Sequence, residues 1–320
     1  MNVELLIATH SGTIYIPIVE EGIQWTTERA GSPSTLKFTV VKDDVIAFNE
    51  GDAVRLKVDG QNVFFGFVFT KKRNKEHLIE VTAYDQLRYL KNKDTYVYEN
   101  KTASQVIQMI ANDFNLNLGD IESTQYVIPS RVEDNQSLFD IIQNALDLEL
   151  QHKREMYCLY DDCGKLTLKN IASMRLNLLI NPETAEDFDY TSTIDQQTYD
   201  QIKLTYDNSE TGEREVYIAK DSSHINQWGV LQYYETLQEG ENGKAKADAL
   251  LGLYNKKTRN LKINNALGDV KCRAGTMVIV QLYLGDMSVS NYLLVEKATH
   301  TFNNNQHFMS LNLRGGEFVV

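Results

Sequence analysis

Cysteine, proline and long apolar runs are all scarce in this chain of 320 residues, and each shortage excludes something. Three cysteines, Cys158, Cys163 and Cys272, form an odd set with one close pair, not the framework that staples small secreted domains. Cys158 and Cys163 flank Tyr160-Asp161-Asp162 at a predicted hairpin turn and are expected to stay reduced. A zinc site would need two further ligands at suitable spacing, and none is evident. Four prolines and no low-complexity tract argue against long disordered linkers. No apolar run approaches the ~20 residues that span a bilayer, which predicts no transmembrane segment. The opening MNVELLIATH lacks a basic start, so it reads as a first strand rather than a signal peptide.

Basic charge is also short. The formal net charge is −12 and the pI about 5.0. Duplex-binding proteins carry a basic face that displaces phosphate counterions. Here the longest basic cluster, Lys71-Lys72-Arg73, is expected in a solvated turn, so specific nucleic-acid recognition is not expected.

Catalytic signatures are missing too. The six histidines, His10, His77, His152, His224, His300 and His307, show no metal-site spacing, and no Walker loop, GxGxxG or G-x-S-x-G elbow occurs. The carboxylate pairs Asp43-Asp44 and Asp161-Asp162 sit in predicted turns, where Asp bonds the local backbone. Asp207 to Gly212 has oxygen-bearing residues before a glycine but lacks EF-hand spacing, and reads as a hairpin turn. Trp25 is assigned to a core, while Trp228 lies in a segment, Ser222 to Gln232, that reads as irregular. Catalytic, cofactor-binding and metal residues are therefore all assigned as none.

What is present is β pattern. Residues 1–95 carry about seven short alternating runs separated by turn signals, as in a sandwich or small barrel. The clearest stretch is Gly51 to Leu90. Val54, Leu56 and Val58 alternate with charged residues, and Asp59-Gly60 marks a turn. Val63 to Phe69 is apolar on both faces, with Gly66 placed for a bulge or close backbone approach. Leu78 to Ala83 returns as a third strand, and Asp85-Gln86-Leu87 begins a helical turn expected to set Leu87 and Leu90 against the sheet.

The texture changes over residues 96–195, an α+β insertion with two amphipathic helices. They open at the capping patterns Thr102 to Gln105 and Ser137 to Asp140, and a hairpin follows from Met156 to Lys169. Residues 196–320 return to β, with an inserted helix near 244–257. Within them the first meander is echoed: Gly275 to Leu282 matches Gly51 to Val58, Tyr292 to Thr299 matches Val63 to Thr70, and Phe308 to Leu313 matches Leu78 to Ala83. The expected fold is mainly β: two tube-like antiparallel β-barrel domains flanking a smaller helical and hairpin region.

The runs Gly51-Asp52-Ala-Val-Arg-Leu, Val63-Phe-Phe-Gly-Phe-Val and Val81 to Leu90, with Ser137 to Leu150 and the Lys244 to Lys257 helix, resemble the hub proteins of phage contractile-tail baseplates. The likeness is to the XkdQ-like group of prophages and phage-like bacteriocins, related to the late control protein D family, over nearly the whole chain. That resemblance implies a homotrimeric ring, each chain offering two tube-like domains, so that a threefold central spike meets a sixfold tail tube. It implies as partners the tail tube or a tube-initiator protein, the spike and other baseplate proteins, with assembly into the particle after synthesis in the bacterial cytoplasm. It implies no enzyme. The alternatives are a peptidoglycan or carbohydrate hydrolase, or a cell-wall carbohydrate-binding module using Trp228.

Overall fold

The first seven strands are β1 (Val3–Ala8), β2 (Ile14–Tyr15), β3 (Ile23–Glu28), β4 (Thr35–Val41), β5 (Ala53–Val58), β6 (Gln61–Arg73) and β7 (Leu78–Tyr84), and all but β2 and β6 are set by burial of every second side chain. This computed structural model describes residues 1–195, 198–207, 212–237 and 242–315. Leu36, Phe38 and Val40 of β4, Val54 and Leu56 of β5, and Ile79 and Val81 of β7 meet in one core with Trp25. Each such side chain contributes roughly 1.5–3 kcal/mol on burial. An exposed cross-strand pair such as Lys72–Glu80, 3.3 Å apart, contributes about 0–1 kcal/mol. The core therefore holds the meander, and the ion pairs only decorate it.

Two local expectations change here. Lys71-Lys72-Arg73 is not in a turn: β6 runs on to Arg73 because these residues pair with Val81, Glu80 and Ile79 of β7. The turn after Asp85 is a 3-10 helix, Gln86–Lys91, and its Leu87 and Leu90 join the core of the following insertion rather than that of the sheet. At Gly66 the backbone approach is close, since a Cβ there would strike the Tyr84 carbonyl oxygen and the Phe64 ring.

The insertion contains β8 (Lys93–Lys101), α1 (Ala103–Asp113), β9 (Leu118–Ile121), β10 (Ile128–Ser137), α2 (Leu138–Lys153), β11 (Tyr157–Asp161) and β12 (Leu166–Asn170). Thr102 and Gln105 form the full reciprocal capping box. Ser137 caps α2, its Oγ accepting from the Asp140 N–H and donating to the Asp140 carboxylate. Val106, Ile107, Ile110, Leu138, Ile141 and Ile142 share one core with Tyr157 and Leu168.

The chain then returns through β13 (Arg175–Ile180) and β14 (Ala185–Thr193). It continues through β15 (Gln201–Asp207), β16 (Arg214–Lys220), α3 (Ser222–Trp228), β17 (Gln232–Thr236) and α4 (Gly243–Tyr254) to β18 (Thr258–Leu267), β19 (Met277–Tyr283), β20 (Ser288–Asn303) and β21 (Gln306–Arg314). Contacts divide it into two compact units: 1–189 with 262–315, and 190–261. The smaller unit is a sheet ordered β16-β15-β17, with Ala247 of α4 packed on Ile202, Leu204 and Ala219. The helix expected near 244–257 thus belongs to this small sheet. Ser222 to Trp228 is helical rather than irregular: Asp221 accepts from the N–H groups of Ser223 and His224 at its start, and Gly229 at φ +81° ends it.

Both meanders lie in one 13-stranded sheet, along the path β14-β18-β21-β20-β3-β4-β7-β6-β5-β1-β2, with β19 on β20 and β13 on β19. Antiparallel sheets dominate as expected. Closed barrels do not: among the described residues the ladders leave an open path. Around the first meander only the isolated bridge Val19–Val40, with the Val41 N–H donating to Ile18 and the Glu20 N–H to Thr39, spans the gap from the β2 side back to β4.

Candidate functional site

The residues that sequence reading weighed for chemistry are used structurally. Asp43 accepts from the N–H groups of Val45 and Ile46, which holds its carboxyl below the usual range. Asp161 accepts from the Gly164 N–H at 2.6 Å and from Gln86 Nε2 at 2.8 Å. Trp25 is buried, donates from Nε1 to Ser34 Oγ (2.9 Å) and stacks on His300. Trp228 is half-buried and stacks on His224 with ring centroids 4.0 Å apart. Cys158 and Cys272 are buried free thiols, pushed up to about 11 and about 12 by burial, and Cys163 is free as well. Of the loop from Asp207 to Gly212, residues 208–211 lie outside the described residues. Among the described residues no group of three His, Cys, Asp or Glu could hold a metal.

Sequence reading missed the polar junction that ties the insertion to the sheet. The buried Asp85 carboxylate accepts from the Ser34 N–H (3.1 Å) and the Leu87 N–H (3.0 Å), joining the β3–β4 turn to the 3-10 helix. Gln86, also buried, donates to the Asn117 carbonyl (3.2 Å) and accepts from the Asn117 N–H (2.9 Å). Arg273 donates to the Asp161 carbonyl (3.0 Å) and lies 3.9 Å from the Tyr160 ring centroid. Burial pushes Asp161 up to about 6 despite its donors, and burial with the Asp161 charge raises Asp85 well above the usual carboxylate range. The signal was available in the Tyr84-Asp85-Gln86-Leu87 run, but its partners are distant in sequence. Gln86→Ala strips three hydrogen bonds from a buried site and is expected to cost roughly 2–4 kcal/mol. Denaturant titration checks this; a loss below about 0.5 kcal/mol, the range of ordinary surface changes, would remove the junction's structural role.

The second feature is a repeated ladder. Ala53 pairs with Phe67, and Phe67 with Tyr84; Met277 pairs with Leu294, and Leu294 with Arg314. One residue later both middle strands carry a bulge, between Val68 and Thr70 and between Val295 and Lys297. The turns agree too. Gly51 (φ +91°) donates to the Val68 carbonyl at 2.7 Å, and Gly275 (φ +93°) to that of Val295 at 2.8 Å. The Val68 N–H returns a bond to Asp52, and the Val295 N–H to Thr276. The first and third strands match as the sequence echo predicted; the middle strand is offset by two residues, so Leu294 corresponds to Phe67 rather than Phe65. A shift of two preserves every side chain's face, so alternation could not detect it.

The flanking strands repeat as well: β4 lies on β7 and β3 on β4, while β18 lies on β21 and β14 on β18. The two halves join where β3 adds to the edge of β20, with Glu28 opposite Lys297 and Ile23 opposite Phe302. That seam carries two ion pairs, Lys297–Glu28 at 2.8 Å and Arg29–Glu296 at 2.7 Å. Thr27 Oγ1 accepts from the Ala274 N–H (2.9 Å), and His300 donates from Nε2 to the Cys272 carbonyl (2.7 Å) while its Nδ1 lies 2.8 Å from His307 Nε2. The arrangement is one of strand edges, with the two repeated ladders joined at a single seam within the chain.

The YQBQ-like family model matches residues 23–314. The phage-like element PBSX protein XkdQ of Bacillus subtilis is 29% identical over 311 residues, covering 94% of both chains. Among solved structures, the chain is similar to the 43 kDa tail protein of prophage MuSo2 from Shewanella oneidensis (TM-score 0.71, 12% identity, 99% of this chain and 100% of that one). It is also similar to E. coli c3393, a type VI secretion component (TM-score 0.57, 10% identity, 99% of this chain and 78% of that one).

Proposed function

This chain belongs to the YQBQ-like family, and from that membership we propose that it is the hub of a contractile phage tail or tail-like particle. The coarse role is that of a structural tail or baseplate protein, in keeping with its relationship, over 94% of both chains, to a phage-like element protein. The finer reading is ours: three copies form a ring between tail tube and central spike, each contributing two tube-like modules, so that six similar modules face the tube. The observation that carries it is the repeated ladder, alike in register and bulge position, within one chain.

On this reading the modules are built around β1–β7 and around β18–β21 with β13 and β14, so the expected segments 1–95 and 196–320 carry most of them and the end of 96–195 supplies strands to the second. The partners are the tube or tube-initiator protein, the spike and neighbouring baseplate proteins. The chain is made in the bacterial cytoplasm and incorporated into the particle. No helix among the described residues is long and apolar enough to cross a membrane. The role is non-enzymatic.

Two measurements test it. Light scattering with electron imaging of the purified chain is expected to give rings of three; a closed twofold dimer would reject the hub. Zymography on cell walls is expected to give no clearing. Clearing abolished by substituting a carboxylate would move the chain to the hydrolases.

A further inference from the structure

The repeated ladder leaves one position filled in one half and open in the other. On β20, the half beyond the bulge carries β3 along the edge away from β21. The same half of β6, Thr70 to Arg73, pairs with β7 on one side, and among the described residues no strand occupies the other. The strand that corresponds to β3 is β14, which ends the sheet with only β18 beside it among the described residues. The chain thus makes one seam internally and holds the two unmatched halves of a second well apart along one sheet path, one on the terminal strand β14 and one on the far half of β6.

The charges of the two open edges are opposite. The β6 edge reads Thr70-Lys71-Lys72-Arg73, and the start of β14 reads Ala185-Glu186-Asp187-Phe188-Asp189. Lys71 is occupied by Phe48 and Glu50, but Lys72 and Arg73 are exposed, and Lys72 meets the exposed Glu80. On β14, Glu186 is held by Asn265 and Asp189 by Asn264 and Lys262, while Asp187 is exposed. The internal seam has the same character, with Lys297 of β20 against Glu28 of β3. A basic open edge and an acidic open edge, kept apart along the strand path of one chain, complement each other between copies.

We propose that the edge of β6 at Thr70–Arg73 takes the β14 edge at Ala185–Asp189 of a second copy of this chain, antiparallel, reproducing between copies the seam that β20 and β3 make within one. Such a contact is head-to-tail, and copies joined by it close into a ring when the rotation per copy allows. The proposal rests on the hub reading for its biological setting, but its edges are assigned by the repeat and the charges.

The test combines native mass spectrometry, sedimentation and hydrogen exchange on the full chain. Wild type is expected to assemble, with those amides of 70–73 and 185–189 that point away from β7 and β18 protected in the assembly and exposed in the dilute monomer. The variant K72E/R73E and the variant E186K/D187K are each expected to associate at least about tenfold more weakly, because like charges then face each other across the seam. Circular dichroism should show both folded. Combining all four substitutions in one chain restores opposite charge and is expected to restore assembly. A threefold ring whose exchange protection lies elsewhere, or whose assembly ignores both reversals, overturns the edge pairing and leaves the hub reading standing. A closed twofold dimer with both edges unprotected overturns both. A chain that stays monomeric at every concentration, in wild type and variants alike, overturns the edge pairing.

Discussion

Gly275→Ala is expected to destabilise the larger unit by roughly 2–5 kcal/mol, and Gly51→Ala by only about 1–2 kcal/mol, although the glycines hold corresponding places. Both have φ near +90° and both donate to the middle strand of their meander. A side chain at either site bears the strain of the left-handed region. Space differs. A Cβ on Gly51 would meet nothing closer than the His10 ring at 3.5 Å, whereas one on Gly275 would lie 2.5 Å from Cys158 Sγ and 2.9 Å from Cys158 Cβ. Cys158 cannot yield easily: it is buried, and its thiol points to the carbonyls of Arg29 and Ala274. At about 2–4 °C per kcal/mol for a unit of this size, the melting temperatures of the two variants should differ by roughly 5 °C. Equal melting points would show that the insertion does not press on the second meander, and that Gly275 is constrained by its backbone alone.

Acid is expected to weaken the internal seam through His300. This imidazole is buried between Trp25 and His307, and burial, reinforced by His307, lowers its pKa to about 3. The folded chain therefore holds it neutral, donating from Nε2 to the Cys272 carbonyl. The unfolded chain titrates near the ordinary histidine value of 6.5, so below that pH it binds a proton the folded state refuses. The stabilisation is complete above pH 6.5 and is lost as pH falls toward 3, with a slope of up to about 1.4 kcal/mol per pH unit. His307, facing it, is also lowered and acts in the same direction. Asp161 and Asp85 act oppositely: their pKa values are raised, so their contribution is present in acid and is lost as pH rises, for Asp161 through about 6. A difference measurement separates them. The stability of wild type minus that of His300→Gln, followed by urea titration from pH 7.5 to 4.5, should fall with pH, because the carboxylates are common to both proteins. A difference that stays level would mean that His300 is protonated in the fold or reaches solvent.

How far the chain could be read before folding differs between its parts. Strands β1, β3, β4, β5 and β7 were legible because each buries every second side chain, as Leu36, Phe38 and Val40 do. Helices α1 and α2 were legible from Thr102 and Ser137, whose hydroxyls meet orphan N–H groups within three residues. Helix α3 was not, since seven residues give too short a period and its cap, Asp221, resembles any turn aspartate. The junction of Asp85, Gln86, Asp161 and Arg273 was hidden because its members lie up to 188 positions apart and each also suits an ordinary turn or surface.

The duplication was visible in sequence as order and spacing: a turn glycine, three alternating strands, a polar turn. These are local properties, and local hydrophobic periodicity dictates them. Which strand lies beside which is not local. That β3 adds to β20, that residues 190–261 form a separate compact unit, and that among the described residues the path stays open rather than closing into two barrels follow from contacts between residues up to 273 positions apart. A backbone edge offers the same N–H and C=O groups whatever its side chains, so pairing is decided by the shape and charge that the assembled chain brings to it.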